Sequence, residues 1–264
     1  MTPARRELED QVALVTGGGS GIGKATAQLL AAHGALVAVL GHTADEIQKT
    51  VAAIGVTGGR AIALRADIAH EDEMRGAIKE LIHATGKLDI VVANAGINGV
   101  WAPIDDLKPA EWDRTIAVNL RGTYLTLHLT VPHLKPNGGS VIVVSSINGT
   151  RTFTTPGATA YSATKSAQLA MVQQLALELG HHKIRVNAVC PGAIETRIND
   201  NTETRNTDEA LVPVEWPEGD IPITGGEAGE SEDVAEAILF LASRRSRHIT
   251  GTPIWIDGGQ GLLR

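Results

Sequence analysis

Cysteine is nearly absent from this chain of 264 residues, which carries only Cys190. An intramolecular disulfide is therefore excluded, as are cysteine-rich zinc sites, and no metal is expected at the functional site. Cys190 closes an apolar run, where a buried and inert thiol is the expected reading. Aromatic residues are almost as scarce, at 3% against 43% hydrophobic residues in all. The core must then be built from Ala, Val, Ile and Leu, as in a parallel sheet covered by helices. No apolar run approaches the ~18 residues that mark a membrane-spanning helix. The N-terminal MTPARRELEDQ has no apolar stretch of the signal-peptide kind, so a cytoplasmic protein with no membrane partner is expected. Positive charge is also in deficit: 23 Lys and Arg against 30 Asp and Glu leave a net charge of −7. That balance gives no support for a nucleic-acid partner.

What the chain does have is a regular alternation. Short β-branched runs at 12–16, 36–40, 61–66, 88–93, 140–145, 184–189 and 253–256 read as seven strands. Segments near 21–33, 43–54, 70–85, 109–134, 158–180 and 231–242 read as helices between them. This pattern implies an α/β fold: a Rossmann-type, doubly wound parallel sheet with helices on both faces, in one domain over residues 1–264. Ligands of such folds bind outside the carboxyl ends of the strands. One stretch breaks the pattern. Residues 197–233 carry eleven acids and two arginines, with Pro213, Pro217, Gly219, Pro222, Gly225 and Gly226 disfavouring long elements. The portion 197–230 is expected to be a lid over the substrate, with a solvated acidic linker as the alternative.

The first strand runs into TGGGSGIG, residues 16–23. Gly17 permits a tight turn, Gly21 and Gly23 permit close approach to a pyrophosphate, and the following helix start favours its charge. An NAD site usually carries an acid at the end of the second strand, on the ribose 2′-hydroxyl. Gly41, His42 and Thr43 stand there instead, with Asp45 and Glu46 belonging to the next helix. NADP is therefore expected in preference to NAD, which remains possible.

Tyr161 and Lys165, in YSATK, stand four residues apart on one predicted helix and so share a face. With two tyrosines and eight lysines, chance alone gives this spacing roughly 6% of the time, so context has to decide. A cation about 4 Å from a phenolate contributes roughly 4 kcal/mol at an effective dielectric near 20. On that reading Lys165 lowers the Tyr161 pKa into the range of general acid/base work. Asn119 interrupts the apolar run 116–120, a placement costly enough to fit either a capped kink or an amide that orders a water.

TGGGSGIG, Asn94-Ala95-Gly96, Ser145-Ser146, YSATK, Pro191-Gly192 and TGTPIWIDGG (250–259) occur in order. In that combination the chain resembles the classical short-chain dehydrogenases/reductases over roughly residues 10–259. The resemblance implies a catalytic tetrad of Asn119, Ser146, Tyr161 and Lys165. Hydride would pass between a nicotinamide and an alcohol or carbonyl carbon, with Tyr161 moving the proton. It also implies cofactor contacts at Gly17, Gly19, Ser20, Gly21, Ile22, Gly23, His42, Thr43, Asp67, Ile68, Asn94, Ala95, Gly96, Pro191, Gly192, Ile194 and Thr196, besides Tyr161 and Lys165. Ser20 replaces a basic residue that many NADP enzymes carry. From Ser146 to Tyr161 there are about two more residues than the family usually shows. Gly149 completes S-x-x-G and selects Ser146 over Ser145.

Trp101, Phe153 and Trp216 are expected to join Ser146 around a small or medium neutral alcohol or carbonyl substrate, although each could instead simply anchor its loop. The acidic stretch disfavours an acyl-carrier-protein substrate, because that carrier is itself acidic. A catalytically silent nucleotide-binding regulator, a sugar or polyol dehydrogenase and a ketoacyl reductase are the alternatives. By analogy with the family, a homotetramer or homodimer is expected through the helices near 109–134 and 158–180. The apolar run Leu125, Leu127, Leu129 and Val131 fits such burial.

Overall fold

The computed structural model describes residues 6–196, 198, 202–212 and 221–263. Seven parallel strands form one sheet: β1 (Val12–Thr16), β2 (Leu36–Gly41), β3 (Arg60–Arg65), β4 (Ile90–Ala93), β6 (Gly139–Val144), β7 (Ile184–Pro191) and β9 (Pro253–Ile256). Their spatial order is β3-β2-β1-β4-β6-β7-β9. The order reverses between β1 and β4, so a crevice opens above their carboxyl ends. A second ribbon of two parallel strands, β5 (Val100–Trp101) and β8 (Glu203–Thr204), lies apart from the sheet.

Strand alternation divides the core in two. Val12 and Leu14 face one layer with Met74, Leu81, Leu127 and Val172, while Ala13 and Val15 face the other with Leu30, Ile54, Val234 and Ile238. The first layer is closed by α3 (Glu71–Thr85), α5 (Gly122–Leu134) and α6 (Thr159–Gly180). The second is closed by α1 (Gly21–Ala32), α2 (Ala44–Val56) and α7 (Ser231–Ala242). Aliphatic residues fill both layers, as the shortage of aromatics requires.

The element expected at 109–134 is not one continuous helix. It begins as α4 (Pro109–Thr115), widens to a π turn at Ile116–Arg121 and resumes as α5. Leu125, Leu127 and Leu129 of α5 are already buried within this one chain, so that apolar run does not by itself require a partner subunit. Among the described residues no helix is long and apolar enough to cross a membrane, and no group of His, Cys, Asp and Glu could hold a metal ion.

Candidate active site

The glycine turn sits between β1 and α1 at the reversal point. Gly17 has φ +64°, and a Cβ there would meet Asn94 Nδ2 at 2.9 Å. A Cβ on Gly23 would run into the Gly17 carbonyl and meet Asn94 Nδ2 at 2.6 Å. Asn94 holds the turn from the next strand: its Nδ2 donates to the Thr16 carbonyl at 2.9 Å, while its backbone N–H donates to Thr16 Oγ1 at 3.0 Å. Helix α1 starts with Ser20 making no side-chain cap and with no acid in its first turn, whereas α2, α3 and α7 all carry acids there. A bare helix start beside a turn with no room for side chains fits a dinucleotide pyrophosphate. Gly19 packs its backbone on Glu46 of α2, and Ile22 is half-buried against the α1 layer.

Other expected contacts ring this turn. Thr196 lies against Gly21, its Cγ2 being 3.3 Å from where a Cβ would stand. Ile194 is held by a bridge to Gly229, and the Gly192 backbone N–H donates to the Ile256 carbonyl at 2.9 Å, just after Pro191 ends β7. His42 and Thr43 are exposed past the end of β2, and Asp45 and Glu46 occupy the first turn of α2. Asp67 accepts from the Ala69 backbone N–H at 2.9 Å, forming a local turn, and Ile68 lies beneath Gly122. Gly96, beside Ala95, faces two members of the expected tetrad: a Cβ there would be 3.2 Å from Asn119 Oδ1 and 3.8 Å from Lys165 Nζ.

Ser146 and Tyr161 line a cavity of about 830 Å3 at this end of the sheet. Ser145 is committed elsewhere, its hydroxyl donating to the Lys165 carbonyl at 2.9 Å. Gly149, at φ +78°, lets the loop lie against the Ser162 carbonyl on α6, where no Cβ would fit. Lys165 Nζ lies 5.3 Å from the Tyr161 ring centre and donates to the Val144 carbonyl at 3.0 Å, leaving two of its three donors uncommitted among the described residues.

The expected depression of the Tyr161 pKa by Lys165 is not what this arrangement produces. Burial pushes the phenol above its ordinary value, with the Ser146 hydrogen bond pulling the other way. Burial also holds the Lys165 ammonium down at about 8. Spacing on a helix correctly places the two groups on one face, but burial, and not the neighbouring ammonium, sets the direction of the phenol's shift. Cys190, also fully buried, has its thiol pushed up to about 11 by burial, which fits an inert core residue.

Asn119 is wholly buried in the π turn. Its Oδ1 accepts from the Ile97 N–H and its Nδ2 donates to the Ile97 carbonyl, both at 2.8 Å. A longer bond from Nδ2 to Thr164 Oγ1 spans 3.3 Å, and Thr164 in turn donates to the Tyr161 carbonyl at 2.7 Å. The Asn119 carbonyl accepts from Thr123 at 2.7 Å and Gln168 at 2.8 Å. The amide therefore staples the loop after β4 to the helix that carries Tyr161. Both amide hydrogens are spent, so neither is available to hold the water that was expected there.

Trp101 lines the cavity, its Nε1 donating to the Asn98 carbonyl at 3.2 Å. Phe153 does not: it is 71% exposed, and the neighbouring Thr152 lines the cavity instead. Trp216 lies outside the described residues. Sequence reasoning missed Asn98, Asn148, Thr152, Thr155 and Gln260 on the wall. The one available signal for Thr152 and Thr155 was the two extra residues between Ser146 and Tyr161, which lengthen the hydroxyl-rich loop 150–155.

The described part of the expected lid is tied down around β8, which pairs with β5. Arg205, just past β8, donates to Asp106 Oδ2 at 3.0 Å and to Glu111 Oε1 and Oε2 at 3.0 and 2.8 Å. Its guanidinium holds the Glu111 carboxyl down at about 2. Asn98 Nδ2 adds a bond to Thr202 Oγ1 at 2.7 Å.

Comparison with known proteins places this site among relatives. A family model described as enoyl-(acyl carrier protein) reductase (adh_short_C2) matches residues 17–260. A crystal structure of a 3-ketoacyl-ACP reductase from Sinorhizobium meliloti 1021 is 66% identical, with TM-score 0.92, covering 96% of this chain and 100% of that one. A 3-ketoacyl-(acyl-carrier-protein) reductase from Brucella melitensis, complexed with NADH, is 33% identical at TM-score 0.84, covering 96% and 99%. Glucose 1-dehydrogenase from Gluconobacter oxydans is 36% identical over 267 residues, 98% of this chain and 95% of its own.

Proposed function

The chain belongs to the short-chain dehydrogenase/reductase family and is an NAD(P)-dependent oxidoreductase, and from that premise we propose that Tyr161 is its general acid/base. The observation that carries this reading is Tyr161 and Ser146 together on the cavity wall, with Lys165 behind the phenol ring. The bound dinucleotide supplies or accepts the hydride. Ser146 hydrogen-bonds the substrate oxygen. Tyr161 gives that oxygen a proton in reduction and takes one, as phenolate, in oxidation. Lys165 offers its two uncommitted donors to the ribose hydroxyls, and its positive charge favours the phenolate form. Asn119 acts as a positioning residue through Ile97 and Thr164.

Tyr161→Phe is expected to lower turnover by about 10²-fold or more while reduced cofactor still binds by fluorescence. Unchanged turnover would refute the assignment, and would favour a silent nucleotide-binding regulator.

The preferred dinucleotide is NADP, since the exposed His42 and Thr43 past β2 present no carboxylate to repel a 2′-phosphate. Tighter binding of NADH than NADPH in a fluorescence titration would overturn this. Homo-oligomerisation through α5 and α6 is proposed from the exposed Tyr124 and Leu177 on those helices. A single monomeric species in sizing at micromolar concentration would contradict it.

The name of the 66% identical structure raises a second reading, reduction of a ketoacyl group on acyl carrier protein. The net charge of −9 over residues 197–233 works against docking that acidic carrier. A cytoplasmic location is the companion proposal to this metabolic role.

A further inference from the structure

We propose that the substrate half of the cavity is built for a neutral polyhydroxylated compound, of the monosaccharide or polyol class, read by Asn148 and Thr152. This rests on the oxidoreductase reading above and names its substrate class.

Thr152 is 1% exposed, lines the cavity, and among the described residues its hydroxyl has no hydrogen-bond partner. An unpaired buried hydroxyl is unfavourable, and a ligand hydroxyl reaching it removes that cost. Asn148, also on the wall, accepts from Thr155 Oγ1 at 2.9 Å through its Oδ1. Its NH2 group has no protein partner among the described residues and is what the side chain offers a ligand. Both residues are fixed relative to the reacting oxygen. The Asn148 N–H donates to Ser146 Oγ at 3.1 Å, and a backbone bridge ties Asn148 to Thr152. Hydroxyls next to the oxidised carbon are therefore the groups within reach of this loop.

Charge supports the same class. Among the described residues of the wall there is no Lys or Arg, and the one charged side chain is Glu195. Arg151, on the same loop, is engaged elsewhere: its guanidinium lies 3.8 Å from the Trp255 ring centre and 3.6 Å from Asp257 Oδ2. A carboxylate, phosphate or coenzyme A thioester would find no described counter-charge there. Trp101 adds an aromatic surface on which the C–H face of a ring or extended polyol can lie.

The test is steady-state kinetics of the full-length protein with each nicotinamide dinucleotide. Neutral monosaccharides and polyols are compared with simple secondary alcohols of equal carbon number, with their carboxylate and phosphate derivatives, and with a ketoacyl thioester. Neutral polyols are expected to give kcat/KM at least about tenfold above the other classes. Thr152→Val and Asn148→Leu should each cut the polyol-to-simple-alcohol selectivity about tenfold, and Thr152→Ser should retain it. Preference for an anionic substrate or thioester, or selectivity untouched in both variants, overturns the substrate class while Tyr161 keeps its role. Loss of all nicotinamide-linked turnover across the whole panel overturns the oxidoreductase reading and this inference with it.

Discussion

At the expected dinucleotide end the turn behind Gly21 of the cavity wall is tight backbone: Gly17 and Gly23 leave no room for a side chain, and Asn94 pins their turn to Thr16. At the expected substrate end, apart from Tyr161 on α6, much of the wall is side chains carried on loops, among them Asn148 and Thr152, with Trp101 on the two-residue strand β5. The first kind of wall can serve one ligand chemistry and tolerates almost no substitution. The second can be rewritten residue by residue without disturbing the sheet. A fixed grip on one reactant beside an editable grip on the other accounts for relatives described by such different substrates.

That contrast can be broken most sharply at Gly23. Gly23→Ala should abolish measurable dinucleotide binding by fluorescence and destabilise the fold by about 1–3 kcal/mol, since the new methyl meets the Gly17 carbonyl. Retained binding would mean that the turn is more pliant than its packing implies.

Lys165 sits between the two ends and gives the next effect. Its ammonium is held at about 8 when folded, against an ordinary value near 10.5. Below pH 8 the folded state therefore carries a buried charge that the unfolded chain hydrates freely, and that cost fades as pH rises to 10.5. Lys165→Met should accordingly stabilise the protein against urea by up to about 3 kcal/mol at pH 7 and by almost nothing above pH 10.5, while activity is lost.

The smallest effect belongs to the substrate end. Arg205→Gln releases the Asp106 and Glu111 contacts, and should raise substrate KM several-fold and speed proteolysis near 202–212, with dinucleotide affinity unchanged. Because Glu111 titrates near 2 rather than 4.5, the wild-type clasp contributes fully above pH 4.5 and is lost only as pH falls toward 2.

The same division governs what could be read from the sequence. Strand positions were legible to within a residue or two, because buried parallel strands are near-continuous aliphatic runs. Of the tetrad, Ser146 and Tyr161 reach the cavity wall, with Lys165 and Asn119 buried behind them. Three things were not legible. The sign of the Tyr161 shift depends on burial, which a four-residue spacing does not report. The Asn119 amide is consumed by Ile97, a partner 22 residues away. The inward turn of Thr152, and not Phe153, depends on loop geometry that no periodicity encodes.

The π turn at Ile116–Arg121 has one more consequence. Such a turn behaves as a single residue inserted into an otherwise regular helix. Removing one residue from it would let α4 run straight into α5 with the phase of both segments preserved, so Leu125 and Leu129 would keep their seats in the core. What such a deletion would take away is the widened turn that seats Asn119, and with it the amide that joins Ile97 to Thr164.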